Sequence, residues 1–165
     1  MVEKISEPKI PSGFTRFLAR SPIWLYRYGF GWMLGKHILL LTHTGRKSGL
    51  LRQTVLEVVS HDPETGTFYV ASGWGERSDW LKNIMKTPQV RVQVGNRRFK
   101  GKAERLPPEE ASQVLEGYAH RHPSAIRLLA RFMGYHIEGL QDVREWSRFV
   151  PIVALRPIDP AQKIS

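Results

Sequence analysis

The chain has 165 residues, the length of one domain, and its composition is that of a globular protein rather than a disordered one. It contains no cysteine, which excludes disulfide frameworks, thiolate zinc sites, iron–sulfur clusters and a cysteine nucleophile. The formal net charge of +10 favours anionic partners, such as a phosphorylated cofactor, acidic lipid or nucleic acid, without choosing among them.

The N-terminus lacks a basic stretch followed by an apolar run, so no secretory signal is expected and the default address is cytoplasmic. Phe14, Phe17, Leu18, Ser21, Leu25, Tyr28 and Trp32 recur at helical spacing, and Arg16, Arg20 and Arg27 interrupt the apolar run too often for a membrane span. The pattern predicts an amphipathic N-terminal segment over residues 1–35. It packs on the domain, contacts acidic lipid peripherally through residues 12–34, or forms a lid over an apolar ligand.

A change of period follows. His37 to Thr42 reads as a buried strand, 44–49 as a glycine-bracketed turn, Gln53 to Val59 as a strand, Asp62 to Gly66 as a turn and Thr67 to Ser72 as the next strand. Ser78 is placed to start a short helix with Trp80, Leu81, Ile84 and Met85 on its apolar face, stopped by Thr87-Pro88. Gln89 to Val94 alternates, Gly95-Asn96 is a hairpin signal, and Arg97 to Leu106 returns. Pro107-Pro108-Glu109-Glu110 opens a helix to about His120, residues 124–133 form another, and Arg148 to Leu155 reads as the last strand. Roughly six strands with peripheral helices predict a mainly β fold, a small antiparallel barrel over residues 36–156, with 157–165 as a tail.

The stretch from Thr42 to Arg52 concentrates the chemistry. Thr44, Gly45, Arg46, Lys47, Ser48, Gly49 and Arg52 place cations, hydroxyls and glycines at a strand end. Glycines let backbone N–H groups approach a ligand, and Arg and Lys supply charge-assisted hydrogen bonds to phosphate. These residue types describe either an anion cradle or a solvated basic turn; the spacing is not that of a Walker A loop. Ala71, Ser72, Gly73, Trp74 and Gly75 form a second candidate, in which exposed main-chain donors beside an aromatic suit a planar heterocycle, or else make a simple strand-to-helix turn.

Other residues offer less. The six histidines, His37, His43, His61, His120, His122 and His136, read as structural or solvated, and no metal site is expected. No nucleophile motif is present. Arg91, Arg97, Arg98, Lys100 and Lys102 form a solvated basic face or a track for an acidic cofactor tail. With Phe99 alone available for stacking, nucleic acid is not an expected partner.

The chain resembles the deazaflavin-dependent nitroreductase family of split-barrel oxidoreductases. The matching segments are Leu39 to Thr42, Thr44-Gly45-Arg46-Lys47-Ser48-Gly49 with Arg52, Tyr69 to Gly73, Trp80 to Ile84 with Pro88, Val90 to Val92, and Pro151 to Val153. The resemblance implies a six-stranded split β-barrel, FMN-binding-like, that uses coenzyme F-420, a deazaflavin with an acidic tail; FMN is the alternative cofactor. It puts phosphate contacts on Arg46, Lys47, Ser48 and Arg52, and main chain from Ala71 to Gly75 along the ring. Trp80 and Asn83 come from the adjoining helix, Trp80 as support.

The implied activity is hydride transfer from the reduced cofactor to an apolar conjugated acceptor: a quinone, enone, unsaturated lipid or nitro compound. Tyr118 and Tyr135 are candidate proton donors. Gly73-Trp74-Gly75-Glu76 replaces the two adjacent glycines of the nitroimidazole-activating branch, and the C-terminal third has fewer tyrosines, which argues against a native nitroreductase activity; the apolar, aromatic N-terminal segment (Phe14, Trp24, Tyr28, Trp32) suits a quinone-like or lipidic acceptor. A non-catalytic carrier of a flavin-type cofactor or fatty acid is the alternative of a different class. The chain is expected to be a monomer or a homodimer.

Overall fold

The structure is a computed structural model that describes residues 2–6 and 35–158; the expected N-terminal helix and most of the C-terminal tail lie outside them. Alternation builds the barrel. In β2 (Ile38–Thr44) Leu39, Leu41 and His43 share the inward face, and in β5 (Gln89–Val94) Val90, Val92 and Val94 do so, with Leu41 opposite Val92. β3 (Leu51–Asp62) runs antiparallel to β2 and then to β4 (Thr67–Ala71), with a register shift between Val58 and Ser60. The shift lets Val58 pack into the barrel and Val59 against the helices while His61 returns to face Phe68.

β6 (Arg97–Arg105) pairs with β5 across the Gly95-Asn96 turn, and β8 (Ile152–Pro157) joins β4 to β6. The six strands close in the order β2-β3-β4-β8-β6-β5, so the sheet has no free edge. β1 (Glu3–Lys4) and β7 (Tyr135–His136) form a separate two-stranded ribbon.

Two apolar clusters follow from this closure. Inside the barrel, Leu39, Leu41, Phe68, Val70, Val92 and Leu155 pack with Trp80, Leu81 and Ile84 of α1 (Asp79–Lys86), so this helix plugs one end. Outside, α2 (Pro108–Arg121), α3 (Pro123–Phe132) and α4 (Leu140–Ser147) bury Leu115, Ile126 and Trp146 against the outer face carrying Val59, Ile152 and Ala154. β8 is buried on both faces, which explains its unbroken apolar run.

Most expected elements are present. Two expectations need correction. The last strand begins at Ile152, not Arg148: Phe149 N–H donates to Trp146 O and Val150 N–H to Ser147 O, so 148–151 is the turn leaving α4. Helix α4 has no counterpart in the expected elements. Its core face rests on Val143 and Trp146, and the Asp142 carboxylate caps it by accepting from the Glu138 and Gly139 N–H groups. Among the described residues, no helix is long and apolar enough to cross a membrane.

Candidate functional site

Antiparallel closure brings both candidate segments to one end of the barrel. The β2–β3 loop (45–50) and the turn after β4 (72–75) emerge there, and α1 lies across the opening between them. Gly45 N–H donates to Leu50 O and Gly49 N–H to Gly45 O, which closes the loop on itself. Gly49 holds φ +68°, which favours glycine, and a Cβ on Gly45 would crowd Ser48 Oγ at 2.9 Å and the Leu50 carbonyl at 3.3 Å.

The loop is tied to α1 by Arg46 and Asn83. Buried Asn83 accepts with Oδ1 from the Arg46 backbone N–H and from Arg46 Nη1, both at 3.0 Å. Arg46 Nη2 donates to Asp79 Oδ1 at 2.9 Å, and Lys86 Nζ donates to the Arg46 carbonyl at 2.9 Å. With its Oδ1 occupied by two donors, Asn83 presents Nδ2 to His43 Nδ1 at 3.1 Å. His43 is therefore the Nε2–H tautomer and neutral. Burial, reinforced by the Arg52 cation and opposed by the Asp79 carboxylate, lowers its pKa from 6.5 to about 4.

These contacts sort the expected ligands. Arg46, expected as a phosphate contact, turns its guanidinium onto α1, where it positions the loop. Lys47, Ser48, Gly49 and Arg52 are exposed, and neither Lys47 nor Arg52 has an ion-pair partner among the described residues. The Lys47 and Ser48 peptide N–H groups make no hydrogen bond among the described residues, whereas Leu50 N–H donates to Ser48 Oγ at 3.3 Å. Thr44 is the last residue of β2, opposite Leu51. The loop thus offers two peptide donors, Lys47 and Arg52 in one exposed patch, a donor set that fits phosphate and carboxylate groups.

The second segment is more closed. Ser72 is fully buried; its N–H donates to Pro151 O, its Oγ donates to Gly75 O at 2.7 Å, and it shares a 2.5 Å hydrogen bond with Ser78 Oγ. Ser78 accordingly starts α1 without capping it through its side chain. The Gly75 N–H is used by Ser72 O, so of the two glycines flanking Trp74 only Gly73 keeps a main-chain donor unused among the described residues. Ala71 ends β4 opposite Ile152. Two aromatic pairs flank the turn: Trp74 meets Phe132 edge-on at 5.5 Å, and Tyr135 stacks on Phe149 at 5.7 Å. A Cβ on Gly73 would contact the Phe132 ring at 3.7 Å.

Trp80 lies in the barrel core and supports α1 without reaching a ligand surface. Tyr118 is held by β3. Its hydroxyl donates to Glu57 Oε1 at 2.5 Å, and burial, with that bond and the Glu57 charge, raises its pKa far above the ordinary value. Glu57 lies six residues along β3 from Leu51 and one before Val58, which pairs with Val70 of β4. Tyr135, stacked beside the turn, remains close to it. His43, Asp79 and Lys86 are site-forming residues that sequence reasoning missed. For His43 a signal existed: it has the same parity as Leu39 and Leu41 and therefore points inward. Among the described residues, no three His, Asp or Glu side chains are grouped to hold a metal ion.

Comparison with solved structures places the fold. A structure described as the F420-H2 dependent reductase FDR-A is 21% identical, with a TM-score of 0.51 over 73% of this chain and 95% of that one. A domain-swapped dimer is likewise 21% identical, with a TM-score of 0.52 over 82% and 99%. HutZ, a heme storage protein from Vibrio cholerae, is 14% identical, with a TM-score of 0.52 over 82% and 91%. The same barrel therefore serves different cofactors, and the shared fold alone does not assign one. The sequence does: residues 23–126, well over half of the chain, match the F420H(2)-dependent quinone reductase family, and the chain belongs to that family of F420-dependent oxidoreductases.

Proposed function

We propose that this protein reduces a quinone-type, apolar conjugated acceptor, and that the Lys47–Gly49 segment with Arg52 holds the acidic part of coenzyme F-420. The observation that carries the reading is the donor set unspent among the described residues: two peptide N–H groups and Lys47 on a loop whose shape is fixed from behind by Asn83 and Arg46, with Arg52 at the start of β3. Preorganised donors of this kind bind an anion without first giving up other partners. When bound, the reduced deazaflavin supplies a hydride, so the protein needs no nucleophile and must orient and shield.

The main chain at Ala71 and Gly73 beside Trp74 is where we place the ring, with the Gly73 N–H as donor. Phe132 and Phe149, both about half exposed, give a planar acceptor an aromatic surface next to that turn. Tyr135 Oη, without a hydrogen-bond partner among the described residues, is the hydroxyl we assign to deliver a proton to the reduced acceptor. FMN and a carrier role are the weaker readings, since the family is defined by F420H2-dependent reduction.

Titration followed by cofactor fluorescence tests the cradle. Wild type is expected to bind F-420 near micromolar, about 8 kcal/mol. Lys47→Ala with Arg52→Ala removes two charge-assisted contacts, expected to weaken binding by roughly tenfold or more apiece and to flatten its salt dependence. Unchanged affinity would place the cofactor elsewhere. Turnover of a soluble quinone with reduced F-420 then separates enzyme from carrier.

A further inference from the structure

We propose that Glu76 and Arg105 are positioning residues: their ion pair holds the Trp74 turn against the chain at Phe149 and so sets how an acceptor lies on the cofactor ring. The inference rests on the reading of this turn as the ring and acceptor site, and adds the pair that fixes its shape. Trp74 is followed by a single 3-10 turn, Gly75–Arg77, none of whose residues is buried. A turn with no buried side chain has little packing of its own to hold it. Its Glu76 carboxylate instead accepts from both terminal nitrogens of Arg105, from Nη1 with Oε2 at 3.0 Å and from Nη2 with Oε1. Two parallel bonds between planar groups fix direction as well as distance.

Strand order turns this pair into a brace across the barrel end. β8 lies between β4 and β6, with Ile152 opposite Ala71 and Val153 opposite Arg105. The pair therefore joins the turn after β4 to the last residue of β6, the two strands that flank the start of β8. Backbone bonds grip the same stretch from both sides: Ser72 N–H donates to Pro151 O and Leu106 N–H to Ile152 O, each at 2.9 Å. Just upstream, the Phe149 carbonyl lies 3.9 Å from where a Cβ on Gly75 would stand, and the Phe149 ring stacks on Tyr135. Trp74, the residue before Gly75, meets Phe132. The relative placement of the two aromatic pairs thus depends on the turn keeping its place beside residues 149–151. Folding stability does not account for the brace. The Arg105 and Glu76 side chains are 38% and 64% exposed, and an ion pair so open to water contributes little to folding. Restraining the turn is what its geometry does, and a small displacement between donor and acceptor costs more in transfer than in binding.

Hydrogen exchange of the full chain without cofactor reads the turn, and single-turnover reduction of a soluble quinone by bound reduced F-420 reads the chemistry. In Glu76→Ala and in Arg105→Ala, the hydrogen-bonded Ser72, Gly75 and Arg77 amides are expected to exchange at least about tenfold faster than in wild type, while the Gly45 and Gly49 amides keep their rates. Hydride transfer is expected to slow by about tenfold or more, with F-420 affinity changed less than about threefold because Lys47 and Arg52 hold its acidic part. Urea unfolding midpoints stay near wild type, since neither truncation opens the core. The double variant is expected to be no slower than either single one, because the two side chains act as one unit.

Unaltered exchange at the turn in both variants overturns the proposal. Faster exchange with an unaltered rate of transfer also overturns it, as do losses that add in the double variant as though the residues acted apart. Wild type that fails to reduce the quinone removes the function reading, and this inference with it, before any variant is compared. Wild type that turns over beside variants of equal rate removes this inference alone.

Discussion

The two ends of the barrel are both closed, and they are closed by different means. At the far end, His61 stacks on Phe68 at 4.1 Å, Phe68 lies 6.0 Å from Phe99, and the Arg97 guanidinium covers the Phe99 ring at 5.4 Å. The cation there is consumed by the fold. At the site end the lid is helix α1, held by the buried Asn83–His43 contact and by Arg46, while Lys47 and Arg52 have no ion-pair partner among the described residues. Cations that folding does not use stand there beside a loop with unspent peptide donors, and a basic protein becomes informative through what surrounds its cations rather than through their number.

The largest effect is expected from removing the plug. Trp80→Ala deletes a buried indole shared by α1 and the barrel interior, and comparable truncations cost ~3–5 kcal/mol. Urea unfolding measures the loss. Because Asn83 and Asp79 ride on the same helix, F-420 affinity should fall with stability even under conditions where the variant is still folded. A variant that loses stability but keeps full affinity would show that the loop is shaped without α1.

The two ends were not equally readable from sequence. Strict alternation in Gln89–Val94 and the Gly95-Asn96 signal give the far-end hairpin directly, because one face is apolar and the other charged. The basic loop is also visible, since its residue types are unusual together. What holds it is not visible: Arg46 meets Asn83 across 37 positions of sequence, and only barrel closure makes them neighbours. Helix α4 escapes notice because Leu140, Val143 and Trp146 are its only large apolar residues. The following Phe149-Val150-Pro151 imitates a strand, while the backbone there is still leaving the helix.

Titration sharpens the comparison next. His43 is neutral when folded and ionises only near pH 4, against 6.5 when unfolded. Between those values the unfolded chain binds more protons, so stability rises with pH through the window. It is complete above about 6.5, declines as pH falls, and stops declining from this source below about 4. His61 at the far end is also lowered, by burial and by the Arg97 and Lys36 cations, so total acid sensitivity has contributions from both ends. His43→Asn keeps an acceptor for Asn83 Nδ2 and removes the proton site. The expected result is a shallower pH dependence of unfolding between pH 4 and 6.5 than wild type; an unaltered slope would mean that His43 is not held neutral beneath α1.

The smallest effect is the control on the far end. Arg97 carries the same charge as Lys47 and Arg52, but its Nε is buried without a partner and its guanidinium rests on Phe99. Arg97→Leu gives up a cation–π contact of about 0.5–1 kcal/mol and also relieves an unsatisfied donor, so the net change in unfolding free energy should stay within about 1 kcal/mol. F-420 affinity and its salt dependence should not move, because the side chain is at the wrong end of a barrel spanned by strands of up to twelve residues. If removing Arg97 weakens F-420 as much as removing Lys47 and Arg52 does, overall positive charge, not the loop, is what attracts the cofactor, and the distinction between the two ends loses its functional meaning.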